Sequence, residues 1–174
     1  MNMSDIIYHP LDANNPQDAL DVKRLVDLDI SEPYSIYVYR FFLSQWPNLC
    51  ILAKCEGKTV GAIIAKLERH RNVRMRGYIG MVVVNRSYRK QGIAKKLVNL
   101  VIEEMVKEKA DEIILETEVI NEAAIGLYEN IGFLRVKRLH RYYLNQHDAY
   151  RLVLPITDKS SIRSAFLPPP DSII

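Results

Sequence analysis

The segment that most constrains this chain is Tyr78-Ile79-Gly80-Met81-Val82-Val83-Val84, which ends at Asn85-Arg86-Ser87 and is followed by Arg89-Lys90-Gln91-Gly92-Ile93-Ala94 and then a strongly amphipathic stretch. Seven residues that are apolar at both alternating positions read as a strand covered on both faces, hence the middle of a sheet flanked by helices. Beyond Gly92, Ile93, Leu97, Val101 and Met105 recur every fourth residue with Ala94, Val98 and Ile102 beside them, the pattern of a helix with one buried side. A strand, a short glycine-containing loop and a helix in that order place the first turn of the helix at the strand's carboxyl end. There its unpaired N–H groups and its dipole favour phosphate oxygens.

The rest of the chain alternates in the same way. Ile6 to Leu11 predicts a short strand, and Ala19, Val22, Leu25 and Val26 give a first helix its apolar face; Ser31-Glu32-Pro33-Tyr34 breaks it, and a second helix follows over Ser35 to Gln45. Leu49 to Lys54 and Thr59 to Leu67 predict a hairpin turned at Glu56-Gly57-Lys58. Asp111 to Glu118 reads as a strand, Asn121 to Asn130 as a short helix closed by Ile131-Gly132, and Phe133 to Leu144 with Tyr150 to Leu154 as a last strand pair. The expected class is α/β (α+β), with a central, mostly antiparallel mixed sheet of about seven strands and helices on both faces. Residues 1–155 are expected to form this domain; 156–174, with Pro168-Pro169-Pro170, are expected to be a disordered or partner-docked tail.

Composition excludes several classes. With 174 residues, 48% of them hydrophobic, the chain buries a core without metal or disulfide staples. Cys50 and Cys55 fall on opposite faces of one strand and are expected to stay reduced. No run of about 18 apolar residues is present, and the start has no basic stretch followed by an apolar one, so neither a membrane span nor a signal peptide is expected and the cytoplasm is the expected location. The net charge of +3 is too small to specify a nucleic-acid binder, although Arg69 to Arg76 and Arg135 to Arg141 are locally basic. The histidines and cysteines have no ligand spacing, so no metal is expected.

Arg-x-x-Gly-x-Ala after a hydrophobic strand resembles the coenzyme A pyrophosphate loop of the GNAT superfamily of acetyltransferases, and the likeness extends from about Tyr8 to Leu154. Four further stretches, Ser-Glu-Pro-Tyr-Ser-Ile-Tyr-Val-Tyr-Arg from Ser31, Arg-Gly-Tyr-Ile-Gly-Met from Arg76, Leu-Glu-Thr-Glu-Val from Leu115 and Arg-Tyr-Tyr-Leu from Arg141, resemble the family of catalytic subunits of NatC N-terminal acetyltransferases. The resemblance implies transfer of acetyl from acetyl-CoA to the α-amino group of nascent polypeptide N-termini that begin with Met and a hydrophobic residue. It also implies two auxiliary subunits, a ribosome as a further partner, and cytoplasmic location. Alternatives that share the cofactor loop are an enzyme acting on lysine or a small amine, and a non-catalytic CoA-binding subunit.

Under that resemblance, Arg89, Lys90, Gln91, Gly92, Ile93 and Ala94 would hold the pyrophosphate, backbone N–H groups of Val82, Val83 and Val84 would polarise the thioester carbonyl, and Asn121 and Tyr128 would face the cofactor from the following helix. Glu116, a carboxylate directly after Ile113-Ile114-Leu115, is the candidate base, acting through water; Glu118 shares its face by alternation and is a supporting candidate. An α-amino group has a pKa of about 7.7–8.0, so a strong base is unnecessary. Tyr128, protonated at neutral pH, is the candidate acid for the departing thiolate. Leu28, Glu32, Pro33 and Tyr34 on one side, and Tyr142 and Tyr143 on the other, would form the walls for the peptide, their aromatic rings suiting apolar residues and Glu32 pairing with the cationic amine, with Tyr78 facing the same cleft.

Overall fold

The computed structural model describes residues 5–29, 36–143 and 145–161. Among these, the elements are β1 (Ile6–Pro10), α1 (Pro16–Asp29), α2 (Ile36–Gln45), β2 (Cys50–Cys55), β3 (Lys58–His70), β4 (Arg74–Val84), α3 (Ile93–Lys107), β5 (Glu112–Glu118), α4 (Glu122–Ile131), β6 (Leu134–Leu139) and β7 (Ala149–Pro155). The seven strands form one sheet in the order β1-β2-β3-β4-β5-β7-β6. Only β4 and β5 run parallel; all other neighbours are antiparallel. The expected mixed sheet with helices on both faces is the observed architecture.

Two cores lie on the two faces. On one, the α3 stripe of Ile93, Leu97, Val98, Val101 and Met105 packs with Tyr128 and Phe133 over Ile63, Ile79, Val84, Ile113 and Leu115. Each large side chain buried there contributes about 1.5–3 kcal/mol. On the other, Val22, Leu25 and Val26 of α1 and Leu43 of α2 cover Cys50, Leu52, Ala62, Ile64, Met81 and Val83. Phe41, Phe42 and Trp46 form an edge-packed trio, and the Trp46 indole donates to the Leu67 carbonyl at 3.1 Å, fixing the end of α2 against β3. Cys50 and Cys55 face opposite cores and both thiols are free.

Three features differ from the expectation. β3 and β4 extend far beyond their apolar segments, to a turn at 71–73, because opposed residues such as Glu68 and Arg76 pair across the ladder. β6 stops at Leu139 rather than continuing to Leu144. Left-handed backbone at Arg141 (φ 47°) and Gln146 (φ 66°) breaks the strand, and the Asp148 carboxylate gathers the turn by accepting from Arg138 Nε at 2.8 Å and Arg141 N at 2.9 Å. Finally, ordered contacts continue past residue 155: Thr157 donates its hydroxyl to Asp111 at 2.7 Å, and a 3-10 turn occupies Asp158–Ser161.

The feature that positions the site is where β4 and β5 part. They pair over Arg76–Tyr78 and Glu112–Ile114 only; beyond that, β4 continues on β3 and β5 continues on β7, leaving a slit between them. At the parting, Ile64 opposes Met81 and Ala65 opposes Ile79, so Gly80 is an extra residue bulged out of β4. Below the bulge Ile79 faces α3, and above it Val82 and Val84 do, with Met81 and Val83 turned to α1.

Candidate active site

One end of the slit meets the loop 85–92. Lys90 (φ 60°) and Gly92 (φ 79°) both have left-handed backbone, and Gly92 caps α3 without any side-chain hydrogen bond. The first helical bond runs from Lys96 N to Gly92 O at 3.0 Å, so the N–H groups of Ile93, Ala94 and Lys95 have no helical acceptor. A Cβ built on Gly92 would meet nothing within 4 Å, so the space beside this glycine is open. Exposed Arg86, Arg89, Lys90, Lys95 and Lys96 surround it. The cradle therefore has converging donors, positive charge and room for a diphosphate. The Ile93 side chain is fully buried under the sheet, so its backbone alone faces the cradle; Ala94 is half-buried and Gln91 is partly exposed. Arg89 Nε donates to Val84 O at 3.3 Å and ties the loop to the end of β4.

Along the slit, Asn85 N donates to Val60 O at 2.7 Å. By the alternation of an antiparallel ladder, Val83 likewise directs its backbone to β3, whereas Val82 and Val84 direct theirs into the slit. The expectation for Val82 to Val84 is thereby narrowed: the Val83 N–H is occupied by its strand partner.

On the α1–α2 face of the slit stands Glu116. Its side chain is 5% exposed, and it is paired directly across β5–β7 with Arg151, whose Nε and Nη2 both donate to Oε1 at 3.3 and 3.0 Å. Its other oxygen, Oε2, is buried and accepts no hydrogen bond. Glu118, on the same face, is engaged elsewhere: its oxygens bind Asn145 Nδ2 at 3.4 Å and His147 Nδ1 at 3.0 Å, fastening β5 to the β6–β7 turn. Only Glu116 of the two thus has a carboxylate oxygen unused and sheltered from water.

Tyr78 opposes Ile114 at the last β4–β5 pair, immediately before the slit, and Lys66 Nζ lies 5.8 Å from the ring centroids of both Tyr78 and Phe42. Tyr78, Ile114, Arg76, Lys66, Glu68, Arg69 and His70 line a shallow cavity of about 210 Å³ on the Glu116 face. Desolvation holds the His70 imidazole below its usual pKa, with Arg76 and Arg71 adding to the effect. Tyr142 and Tyr143 meet edge to face at 5.1 Å on the β6–β7 turn. Leu28 is 71% exposed at the end of α1. Glu32, Pro33 and Tyr34 lie outside the described residues.

Tyr128 lies on the opposite face, 8% exposed and 5.7 Å from the Phe133 ring; burial pushes its hydroxyl up to about 12. Asn121 does not share its environment. It is the exposed N-cap of α4, its Oδ1 accepting from Ala124 N at 3.1 Å. Arg151 escaped the sequence reading because it is 35 residues from Glu116 in the chain and nothing local marks the pairing. No group of three or more metal-ligating side chains occurs among the described residues.

Comparison with known proteins gives this geometry its context. A model of the Acetyltransferase (GNAT) family matches residues 19–133. N-alpha-acetyltransferase 30 of Saccharomyces cerevisiae is 54% identical over 169 residues, covering 94% of this chain and 96% of that protein. N-alpha-acetyltransferase 30 of Dictyostelium discoideum is 47% identical over 163 residues, with 94% and 86% covered. A chain in the crystal structure of the NatC complex bound to Gag peptide and CoA superposes with a TM-score of 0.86 at 53% identity, covering 88% of this chain and 99% of that one. By the span of the family match and the identity along nearly its whole length, the chain belongs to the acetyltransferase (GNAT) family and, within it, to that of N-alpha-acetyltransferase 30.

Proposed function

We propose that this chain transfers acetyl from acetyl-CoA to the α-amino group of protein N-termini, those beginning with Met and a hydrophobic residue, by direct attack within a ternary complex. The observation that carries the reading is the buried, unpartnered Oε2 of Glu116 on one side of a slit whose far end opens on the Gly92 cradle. Bound acetyl-CoA supplies an activated acetyl group as its thioester. In the exchange a C–N bond forms, the C–S bond breaks and one proton passes from the amine to the sulfur side.

Each part of the slit has a role in that exchange. The α3 amino terminus with Arg89, Lys90, Gln91, Gly92, Ile93 and Ala94 binds the diphosphate, and Val82 and Val84 offer backbone N–H groups to the carbonyl oxygen. Glu116 Oε2 takes the proton of the amine through water, on the α1–α2 face. Tyr128 serves the sulfur from the α3–α4 face as a hydrogen-bond donor, so it and Glu116 sit on opposite sides of the sheet with the slit between them. Tyr78, Leu28, Tyr142 and Tyr143 form apolar walls for the first residues of the peptide, and Glu118 fixes the Tyr142–Tyr143 turn through His147 and Asn145.

Kinship with a chain of the NatC complex supports work alongside two auxiliary subunits, and the locally basic strand β6 suits a ribosome-associated, cytoplasmic complex. The segment toward residue 174 docks on such a partner. The test mixes acetyl-CoA with three peptides: one starting Met-Leu, one starting Ser-Glu, and one with a blocked N-terminus and an internal lysine. The Met-Leu peptide is expected to be acetylated fastest; acetylation of the blocked peptide alone would overturn the reading.

A further inference from the structure

We propose that Arg151 is a positioning residue that aims the Glu116 carboxylate, an inference resting on the reading of Glu116 as the base. An arginine that merely neutralises a carboxylate engages it fork to fork, one N–H to each oxygen. Here both Nε and Nη2 converge on Oε1, at 3.3 and 3.0 Å, and Oε2 is left buried with no donor. Buried polar atoms without partners are rare, and they persist where chemistry needs a free lone pair. The two strands set this arrangement rigidly. Glu116 and Arg151 are exact cross-strand partners in β5 and β7, so their separation is fixed by the ladder.

The surroundings fit that task. The Arg151 side chain is 34% exposed while Glu116 is 5% exposed, so the guanidinium keeps part of its hydration as it directs a sheltered carboxylate. Across β7 its neighbour on β6 is the exposed Lys137, and Arg76 on β4 lies 3.8 Å from Glu112; neither donates to Glu116 Oε2. With Oε1 doubly held, the carboxylate cannot rotate, and Oε2 keeps one direction, on the face that carries Tyr78. Arg151 touches no substrate; it acts through Glu116.

The experiment measures kcat and KM of the full chain with acetyl-CoA and a Met-Leu peptide for Glu116→Gln, Arg151→Met, Arg151→Lys and the double variant Glu116→Gln/Arg151→Met, each checked for a native melting transition. Glu116→Gln is expected to lower kcat roughly 10²–10⁴-fold. Arg151→Met should lower kcat about 10–100-fold with the KM for acetyl-CoA unchanged, because a misaimed base costs turnover and not cofactor affinity. Arg151→Lys, which restores a charged donor, should recover most of that loss. In the Glu116→Gln background, Arg151→Met should change kcat by less than about twofold, since the group it positions is already gone. Additive losses in the double variant, or an Arg151→Met enzyme as fast as the parent beside an impaired Glu116→Gln, would overturn the proposal alone; a fully active Glu116→Gln would instead remove the base reading beneath it. Should Arg151→Met fail to fold, Arg151→Lys and Arg151→Gln decide: equal kcat in the two refutes the proposal, a slower Gln variant supports it.

Discussion

Replacing Tyr128 by Phe separates two roles that a tyrosine can play at a leaving thiolate. Burial pushes the Tyr128 hydroxyl up to about 12, whereas an ordinary thiol ionises near 8.5. Handing a proton from the first to the conjugate base of the second is uphill by about 3.5 pK units, or about 5 kcal/mol at 1.36 kcal/mol per unit. On the proposed reading, Tyr128 is expected to keep its proton and to stabilise the sulfur by donating a hydrogen bond to developing negative charge. A bond of that kind contributes about 1.5–3 kcal/mol, so Tyr128→Phe should reduce kcat about 10- to 150-fold with little change in the KM for acetyl-CoA. The exchange removes one oxygen and keeps the ring against Phe133, so the fold should survive. The decisive assay is kcat against pH from 7 to 10.5 for both proteins. Wild type should show no fall belonging to Tyr128 in that range, because the hydroxyl stays protonated throughout. A descending limb centred near pH 10 that disappears in Tyr128→Phe, or a loss well beyond 10³-fold, would refute the hydrogen-bond role and restore the simple proton donor expected from the sequence.

Two further predictions test the cradle and the fold. Gly92→Glu should abolish coenzyme A binding in a titration calorimeter: it forces a side chain into left-handed backbone at φ 79° and places an anion before the donors meant for the diphosphate, and retained affinity would show that the nucleotide sits elsewhere. At Asp111, hydrogen bonds from the Thr157 hydroxyl and the Met75 amide hold the carboxyl below its usual pKa. A lowered folded-state pKa means that its contribution is complete above the ordinary carboxylate range and is lost as the pH falls through the folded value. Asp111→Asn should thus cost about 1.5–3 kcal/mol in urea unfolding at pH 6, with the difference from wild type narrowing toward pH 3; a constant difference would contradict the account.

What the sequence makes legible is what repeats. The four-residue recurrence from Ile93 to Met105 and the unbroken apolar run from Tyr78 to Val84 each determine an element and its buried side, and together they locate the cradle at Gly92. The lower halves of β3 and β4 are not legible, because Glu68 to His70 and Arg74 to Arg76 are mostly polar and gain strand structure by facing one another across the hairpin. Alternation places both carboxylates on one face and the family resemblance favours Glu116 over Glu118, but that Asn145 and His147 engage the second while Arg151 takes one oxygen of the first is visible only in the structure. Such preferences come from contacts between distant segments. Asn121 and Tyr128 are both expected at the cofactor, yet one is the exposed N-cap of α4 and the other is buried against Phe133, a difference in burial that no local pattern carries.

The single inserted glycine at position 80 sets the parity of β4. Below it odd-numbered side chains look toward α3, and above it even-numbered ones do, so the strand changes phase at the point where its neighbour leaves. Backbone amides change phase with the side chains. Were Gly80 drawn into the regular ladder instead of bulging from it, Val82 and Val84 would trade places with Met81 and Val83 in both cores, and the N–H groups now turned toward the opening would be turned back into the ladder. Residues of nearly equal hydrophobicity could tolerate the exchange as packing; the polar lining of the opening could not.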